Sequence, residues 1–404
     1  MKQKVSKKTS PSAEPLSPIN TLQYLGLTAE EKKLYRPVNP AYERLPLVCR
    51  IFYLSALFSL VIYIIACISP DFADFFNQYV SVAGRSLLNI LTRWIPFSLG
   101  ELTVFLLPVA LVLAVAYAIR RRCDTWRCAW VFVSTLLSVL AALFSIFVLN
   151  FGTGYRGTPL DQKLGLERQA VSAQELYDTA EILREHLNRE ADDIQYAEDG
   201  FSQMPYDLDT LNRKLNEAYR DFDKDHDFIT HVDGTIKPVM ISEAMSYMHI
   251  TGVYSFFTGE ANLNVNFPDY TLPYTAAHEM AHQRGIARED EANFIAYLVC
   301  ISSEDPYIRY SGYMNMYEYM IGALASADYK LFATVSQHVK PEVNQEIRAF
   351  NEFFKKYADS TISKVSGTIN DTFLQSQGTP GIKSYGLVVD LAVAYYKESP
   401  PVME

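Results

Sequence analysis

The chain of 404 residues is acidic, with 46 Asp and Glu against 36 Lys and Arg and a formal net charge of −10 at pH 7. This surplus of negative charge argues against binding to nucleic acid and suits an exported domain. Hydrophobic residues make up 49% of the sequence, but the long apolar runs lie before residue 150. Only one of the five cysteines, Cys300, follows residue 150, which excludes a disulfide or a cysteine-based metal site within the C-terminal part.

The N-terminal third of the chain is predicted to be a tail followed by a membrane anchor. Residues 1–46 are rich in Lys, Ser and Pro, which predicts a disordered cytoplasmic tail. Three uncharged apolar runs then cover 51–68, 102–119 and 129–149. Each is about long enough to cross a bilayer core of roughly 30 Å. We therefore expect three transmembrane helices within an anchor over 47–150, with the lipid bilayer as partner, rather than three buried helices of a soluble protein.

Positive charge predicts how the anchor is oriented. The loop after the second run carries four arginines, whereas the loop after the first has two arginines and two aspartates. Because arginine-rich loops remain in the cytoplasm, the N-terminus should lie inside and residues 151–404 outside a cytoplasmic membrane. The four arginines of the cytoplasmic loop are Arg120, Arg121, Arg122 and Arg127. The segment 75–94 between the first two runs is predicted to be an interfacial amphipathic helix or a short re-entrant segment.

Residues 151–404 are predicted to form a mostly helical α+β domain. Ser172 and Glu175 make a capping box at the start of a helix over 172–188. Further helices are predicted over 208–221, 242–250, 290–302, 307–325, 341–357 and 385–397. Few segments have strand character. Asp233 and Gly234 indicate a hairpin turn, and residues 261–267 alternate between apolar and polar.

The run HEMAH at 278–282 is the strongest indication of chemistry. Pro273 and Gly285 mark the start and end of a helix in which His278 and His282, four residues apart, share one face. Two histidines so placed can hold one Zn²⁺ ion, and Glu279 can accept a proton from a water on that ion. This pattern is typical of zincin peptidases, and it predicts hydrolysis of a peptide bond with Glu279 as the catalytic base.

The third metal ligand is expected from the acidic residues that follow. Glu291 is the predicted ligand, because it and the next two residues resemble the Glu-Ala-Asp run that supplies a glutamate ligand in gluzincin peptidases. Glu289 and Asp290 stay open as alternatives, since acids in the first turn of a helix are also favoured by its dipole. Asn293 replaces the aspartate that often orients a histidine, and Arg288 at the position of the third metzincin histidine excludes that subclass.

Two further regions are candidates for contact with substrate. Zincins hold an extended substrate along an edge strand that precedes the metal-binding helix, so Ala261, Asn262 and Asn264 are predicted to bind it. An ordinary half-buried strand is the alternative. Tyr385, which follows Ser384 and starts a predicted helix, is a candidate for stabilising the oxyanion of the transition state.

The order of these features resembles a known family. The three apolar runs, the segment FTGEAN at 257–262, the histidine motif and the run 289–293 resemble the bacterial membrane family called domain of unknown function 3810. The resemblance extends from about residue 50 to the C-terminus and includes 96–101 and 384–386. It implies a zincin-type membrane protein with no established substrate.

The function predicted from the sequence is a membrane-anchored zinc metalloendopeptidase. It would hydrolyse a peptide or protein substrate outside the cytoplasmic membrane. The alternative is a non-catalytic membrane receptor or scaffold with a structural or relic zinc site. A structural zinc site is normally closed by four protein ligands, whereas a catalytic site keeps one position open.

Overall fold

The computed structural model describes residues 19–35, 37–38, 44–120, 126–358 and 360–398. The chain divides into two compact units. The first consists of Met1–Phe58 and Leu106–Ser145, and the second of Ser59–Phe105 and Ile146–Glu404. Much of the predicted tail, and Arg121 and Arg122 of the predicted cytoplasmic loop, lie outside the described residues.

The first unit contains short elements and the greater part of three long helices. Strands β1 (Ile19–Asn20) and β2 (Pro37–Val38) pair in parallel. Helices α1 (Thr21–Leu25) and α2 (Glu31–Leu34) lie between them in sequence. Within this unit the hydroxyl of Tyr53 donates a hydrogen bond of 2.7 Å to the carbonyl of Ser134.

Within the described residues, three helices are long and apolar enough to cross a membrane, as the sequence predicted: α3 (Leu47–Ile68), α6 (Leu99–Arg120) and α7 (Trp126–Asn150). All three begin three or four residues earlier than predicted, because uncharged or helix-compatible residues precede each apolar run. For α6 the start is fixed by Ser98, whose hydroxyl accepts a hydrogen bond of 2.9 Å from the Glu101 amide.

The segment between α3 and α6 is helical, and its predicted position at the membrane interface stays a prediction. It comprises α4 (Pro70–Phe75), a π-helical turn (Phe76–Ser81) and α5 (Val82–Thr92). Helix α5 buries its polar residue Arg85 completely and leaves Leu87, Ile90 and Leu91 exposed. Protein groups replace water: Arg85 donates to the Asn77 side chain at 2.7 Å and to the Asn150 carbonyl at 2.8 Å.

The second unit is mostly helical, with one large hydrophobic core and a smaller second cluster. After α7 and a 3-10 turn at Gly152–Arg156, its α-helices are α8 (Leu160–Leu164), α9 (Ala173–Glu190), α10 (Leu208–Asp223), α11 (Ser242–Tyr247), α12 (Thr271–Gln283), α13 (Glu289–Ile301), α14 (Pro306–Ala327), α15 (Tyr329–Ser336), α16 (Pro341–Lys355), α17 (Thr361–Ser376) and α18 (Val388–Glu398). The capping box of Ser172 and Glu175 is present at the start of α9. Helices α8, α15 and α17 were not predicted.

Helices α12 and α13 form the centre of the core. Every residue of α12 is buried, and so is every residue of α13 from Glu289 to Cys300. The two helices pack on each other, and α14 packs on both and on α9. Because both helices are surrounded by protein on all sides, the side chains of α12 and α13 are held in a rigid interior.

A three-stranded sheet lies beside α12 and corrects two predictions. Strand β5 (Glu260–Leu263) is central, parallel to β3 (Ile236–Pro238) and antiparallel to β4 (Gly252–Ser255). The predicted edge strand over 261–267 is therefore wrong, because both sides of β5 are paired. The hairpin predicted at Asp233 and Gly234 is also wrong, since β3 starts after it and pairs in parallel with a distant strand.

The start of α6 is fastened to this sheet by buried charges. Glu260 of β5 accepts hydrogen bonds from the amides of Leu99 (3.1 Å) and Gly100 (2.9 Å) at the positive end of the helix. Lys237 of β3 pairs with the same carboxylate at 2.6 Å, and both side chains are almost completely buried. Glu101 in turn accepts the amide of Ile241 at 2.8 Å. These bonds connect the sheet beside the candidate site directly to the first turn of α6.

Candidate metal centre

Two histidines of α12 and one glutamate of α13 converge on a point between the helices. Glu289 Oε2 lies 3.2 Å from His278 Nε2 and 3.4 Å from His282 Nε2. All three side chains are buried, and one donor atom from each lies within 4.8 Å of the others. Among the residues that the structure describes, no fourth His, Cys, Asp or Glu joins this group. Two imidazole nitrogens and one carboxylate oxygen are a donor set that suits Zn²⁺ with one position left open.

Glu289, and not the predicted Glu291, is the carboxylate that faces the histidines. Helix α13 begins at Glu289, one residue earlier than predicted, and successive side chains rotate by about 100° around a helix. Two positions further on, Glu291 therefore points about 200° away. Its carboxylate is bound by Arg288 at 2.9 Å and by the Leu160 amide at 3.0 Å. Asp290, the other alternative, pairs with Arg168.

The turn after α12 orients His282. Gly285 has φ +96°, a left-handed conformation that suits glycine at the end of a helix. The turn brings the Ile286 carbonyl to 2.7 Å from His282 Nδ1. A proton on Nδ1 leaves Nε2 free to bind a metal, and such a hydrogen bond fixes the ring. His278 Nδ1 is buried without a hydrogen-bond partner in the structure.

Glu279 is placed beside the metal ligands with one oxygen unused. The side chain is buried, and its Oε2 has no hydrogen-bond partner. Gly252 of β4 makes room for it, because a Cβ atom at this position would lie 2.5 Å from Glu279 Oε1. Burial raises the pKa of Glu279 to about 7, although the neighbouring charges of His278 and His282 oppose the shift. A carboxyl group with a pKa near neutrality can both accept and return a proton.

The electrostatics of the metal-free group favour an ion pair. Burial alone would lower the pKa of His282, but the negative charge of Glu289 outweighs it and raises that pKa to about 9. Burial alone would raise the pKa of Glu289, yet the two histidines hold it far below its ordinary value. A Zn²⁺ ion would displace the proton that His282 carries in this ion pair, since a metal binds neutral imidazole and ionised carboxylate.

An aromatic cluster covers the histidine side of the site. The ring centroid of Phe151 lies 5.7 Å from that of His282, and Tyr254 lies 6.4 Å from it. Tyr385 packs on the same cluster, in a 3-10 turn that spans Gly381–Leu387 rather than in the predicted helix. Burial, and after it the charge of Glu289, raises the pKa of Tyr385 and of Tyr155 well above the ordinary value. Both hydroxyls therefore stay protonated and can donate hydrogen bonds.

The residues predicted to bind substrate do not face an open groove. Asn262 and Asn264 are buried, and their side-chain amides donate to the carbonyls of Val253 (3.1 Å) and Ile250 (2.8 Å). Ala261 is fully buried in the central strand. The polar groups of Asn262 and Asn264 form hydrogen bonds within the fold, so these residues stabilise the sheet. The strand next to Glu279 that lies at an edge is β4.

A cavity of about 330 Å³ borders the start of α13. Its lining includes Tyr155, Arg156, Arg288, Asp290 and Ser384. Arg288 and Asp290 flank Glu289 in the sequence, so the cavity reaches the immediate neighbours of a metal ligand. No sequence pattern indicated this cavity, because its walls come from four separate segments.

These features define a mostly helical protein with three apolar helices of membrane-crossing length and a buried His-His-Glu group that can hold a metal. The chain belongs to the family described as "Protein of unknown function (DUF3810)", whose model matches residues 73–393. The resemblance noted in the sequence is thereby confirmed for the family. No curated protein and no solved structure matches the chain.

Proposed function

We propose that this protein is a membrane-anchored zinc metallopeptidase. The observation that carries the proposal is the convergence of His278 Nε2 and His282 Nε2 on Glu289 Oε2, with the unpaired carboxylate oxygen of Glu279 beside them. A zinc ion bound there would supply Lewis-acid chemistry, polarising the scissile carbonyl and acidifying a water molecule. Histidine, histidine and glutamate with a second, non-ligating glutamate suit catalysis better than a closed structural site.

The chain's own residues have distinct roles in this proposal. Glu279 accepts the proton of the attacking water and then delivers it to the leaving amine. Tyr385, kept protonated by burial, donates a hydrogen bond to the developing oxyanion. Strand β4 replaces β5 as the strand along which an extended substrate lies, because it is at an edge of the sheet and its Gly252 is next to Glu279.

The proposed location is a cytoplasmic membrane, with the second unit's catalytic residues on its outer side. Support comes from the three helices of membrane-crossing length and from the arginines between α6 and α7. Three crossings from an inner N-terminus would bring the chain after Asn150 outside. A periplasmic or extracellular peptide would then be the substrate.

The deciding experiment uses the full-length protein in nanodiscs and its Glu279→Gln variant. Zinc content is measured by mass spectrometry, and cleavage is measured with a mixed peptide library. We expect one zinc per chain in both proteins and cleavage by the parent only. Zinc in both with cleavage in neither would favour the receptor or scaffold with a structural zinc site, and absence of zinc from both would refute the metal site.

A further inference from the structure

Helix α17 carries a stripe of exposed apolar side chains. Ile362, Val365, Ile369 and Phe373 follow at spacings of three and four residues and are 38–67% exposed. Ile382, shortly after the helix, is 49% exposed. Among the described residues after 150, nine large hydrophobic side chains are exposed, and these are five of them. Because a water-facing surface scatters such residues singly, their concentration here marks a contact face.

The C-terminal end of α17 contacts two helices of membrane-crossing length. The ring of Phe373 packs edge-on against Phe147 of α7, with centroids 5.9 Å apart. The hydroxyl of Tyr63 in α3 donates a hydrogen bond of 3.0 Å to the side chain of Gln377, just after α17. Phe147 and Tyr63 both lie close to the ends of their helices, at Asn150 and Ile68. A chain that crosses a bilayer three times brings those two ends to the same surface.

A neighbouring face of α17, about 100° round the helix from the stripe, is already occupied by protein. Leu374 is fully buried in the aromatic cluster beside the metal centre, and Asn370 donates to the Tyr385 hydroxyl at 3.4 Å. The helix therefore cannot turn its apolar stripe inward. Its only charged residues are Lys364 and Asp371, so attraction to anionic lipid contributes little and apolar burial must dominate.

We propose that α17 and Ile382 lie in the interface of the lipid bilayer, with the apolar stripe inserted beneath the headgroups. The contacts with Phe147 and Tyr63 place the end of the stripe beside the ends of two helices of membrane-crossing length. A helix that is apolar on one arc, polar on the next and near neutral in charge suits this position. The inference depends on the contacts of α17 and not on the proposed peptidase activity.

The test uses full-length protein in nanodiscs of phosphatidylcholine that carries a diazirine in its acyl chain. After irradiation and digestion with trypsin, lipid adducts are quantified on two peptides by mass spectrometry. Peptide 365–383 contains most of the stripe, and peptide 51–85 contains most of α3 as an internal positive control. We expect adducts on both.

Two variants one residue apart give the matched comparison. Ile369→Asp places a charge in the stripe, whereas Thr368→Asp places the same charge on the exposed polar arc of the same helix. We expect Ile369→Asp to reduce adducts on 365–383 by about tenfold, and Thr368→Asp to leave them nearly unchanged. No adducts on 365–383 while 51–85 is labelled, or equal reduction by both variants, would overturn the proposal. So would conversion of a dimer to a monomer by Ile369→Asp without any lipid adduct, because the stripe would then bind a second copy.

Discussion

A single helix position decides which carboxylate completes the candidate metal centre. Glu289 is the first residue of α13, and the five residues after α12 are just enough to turn the chain back toward His278 and His282. Glu291 has the same side chain and is equally buried, but Arg288 and the Leu160 amide hold it elsewhere. The two glutamates therefore form a natural matched pair for mutagenesis.

Replacing Glu289 with Gln should weaken zinc binding by more than the roughly 10–100-fold typical of losing a group that only supports a ligand. Glu291→Gln should change zinc affinity only slightly, since its carboxylate contacts no histidine. Competition against a chelator of known affinity measures both. The ligand assignment is wrong if the two variants lose zinc equally.

Zinc binding should depend on pH through His282. Its pKa of about 9 in the metal-free protein means that the ring carries a proton at neutral pH, and zinc must displace it. Between the ordinary histidine pKa of about 6.5 and pH 9, we expect zinc affinity to rise by up to about tenfold per pH unit, with about one proton released per zinc. Titration calorimetry in buffers of different ionisation enthalpy counts the released protons. Binding without proton release would contradict the ion pair of His282 and Glu289.

The residues of the candidate site could be predicted from the sequence where their geometry depends only on local spacing. The i, i+4 histidines and Glu279 share a turn of helix, so the sequence contains their geometry. The third ligand depends on where α13 begins, and a shift of one residue rotates every side chain by about 100°. The roles of Tyr155 and Arg85 depend on contacts across more than 60 residues, which no local pattern contains.

At the level of elements, the turn that ends α12 links the π-helical turn and α5 to the candidate metal centre. Asn77 donates a hydrogen bond of 2.9 Å to the Gly285 carbonyl, and Arg85 holds Asn77 from the other side. The next carbonyl, that of Ile286, orients His282. The π-helical turn and α5 therefore help to position His282, a candidate metal ligand, without touching it.

Gly285→Ala should destabilise the protein. The new Cβ would sit in a left-handed conformation and lie 2.6 Å from Arg85 Nη2, so we expect a loss of at least about 1–3 kcal/mol. Gly322→Ala in α14 is the control, because its Cβ meets nothing within 4 Å and alanine favours a helix by up to about 1 kcal/mol. Thermal unfolding of both variants in nanodiscs measures the effect. Equal unfolding temperatures would show that the turn tolerates a side chain.

Lys237→Met should be strongly destabilising because it removes one partner of a buried ion pair. Glu260 would keep its charge with only the amides of Leu99 and Gly100 to balance it. Breaking such a pair costs about 3–5 kcal/mol. Lys224→Met, which removes an exposed partner of Asp221, should cost less than about 1 kcal/mol. The free energy of unfolding in a denaturant titration separates the two, and similar values would mean that the buried pair adds little.

Most helices of the second unit follow the predicted boundaries to within a few residues, since caps and apolar periodicity are local signals. The starts of α9 and α14 show this, because the side chains of Ser172 and Asp305 accept hydrogen bonds from backbone amides of the first turn. The sheet was not predictable in the same way. Strand β5 pairs with β3 across more than 20 residues, and nothing in Ala261–Leu263 itself distinguishes a central from an edge strand.

On the scale of the whole molecule, the predicted domain boundary at residue 150 stays a prediction that can be tested directly. A fragment of residues 151–404 lacks Asn77, Arg85 and Glu101, all of which contact that part of the chain. We expect the fragment to be digested by protease faster than the same residues in the full-length protein. Limited proteolysis followed by mass spectrometry measures the rates. Equal protection would establish 151–404 as an independent domain.

The bond between Glu260 and the start of α6 also has a consequence for the order of assembly during synthesis. Helix α6 leaves the ribosome some 160 residues before the carboxylate that receives its first amides. Helix α6 would therefore insert into a membrane before strand β5 has been synthesised. Glu260 of β5 would bind the start of α6 only afterwards. Residues 151–404 joined to a foreign anchor would lack this junction, so we expect the anchor and the C-terminal part to function only as a pair.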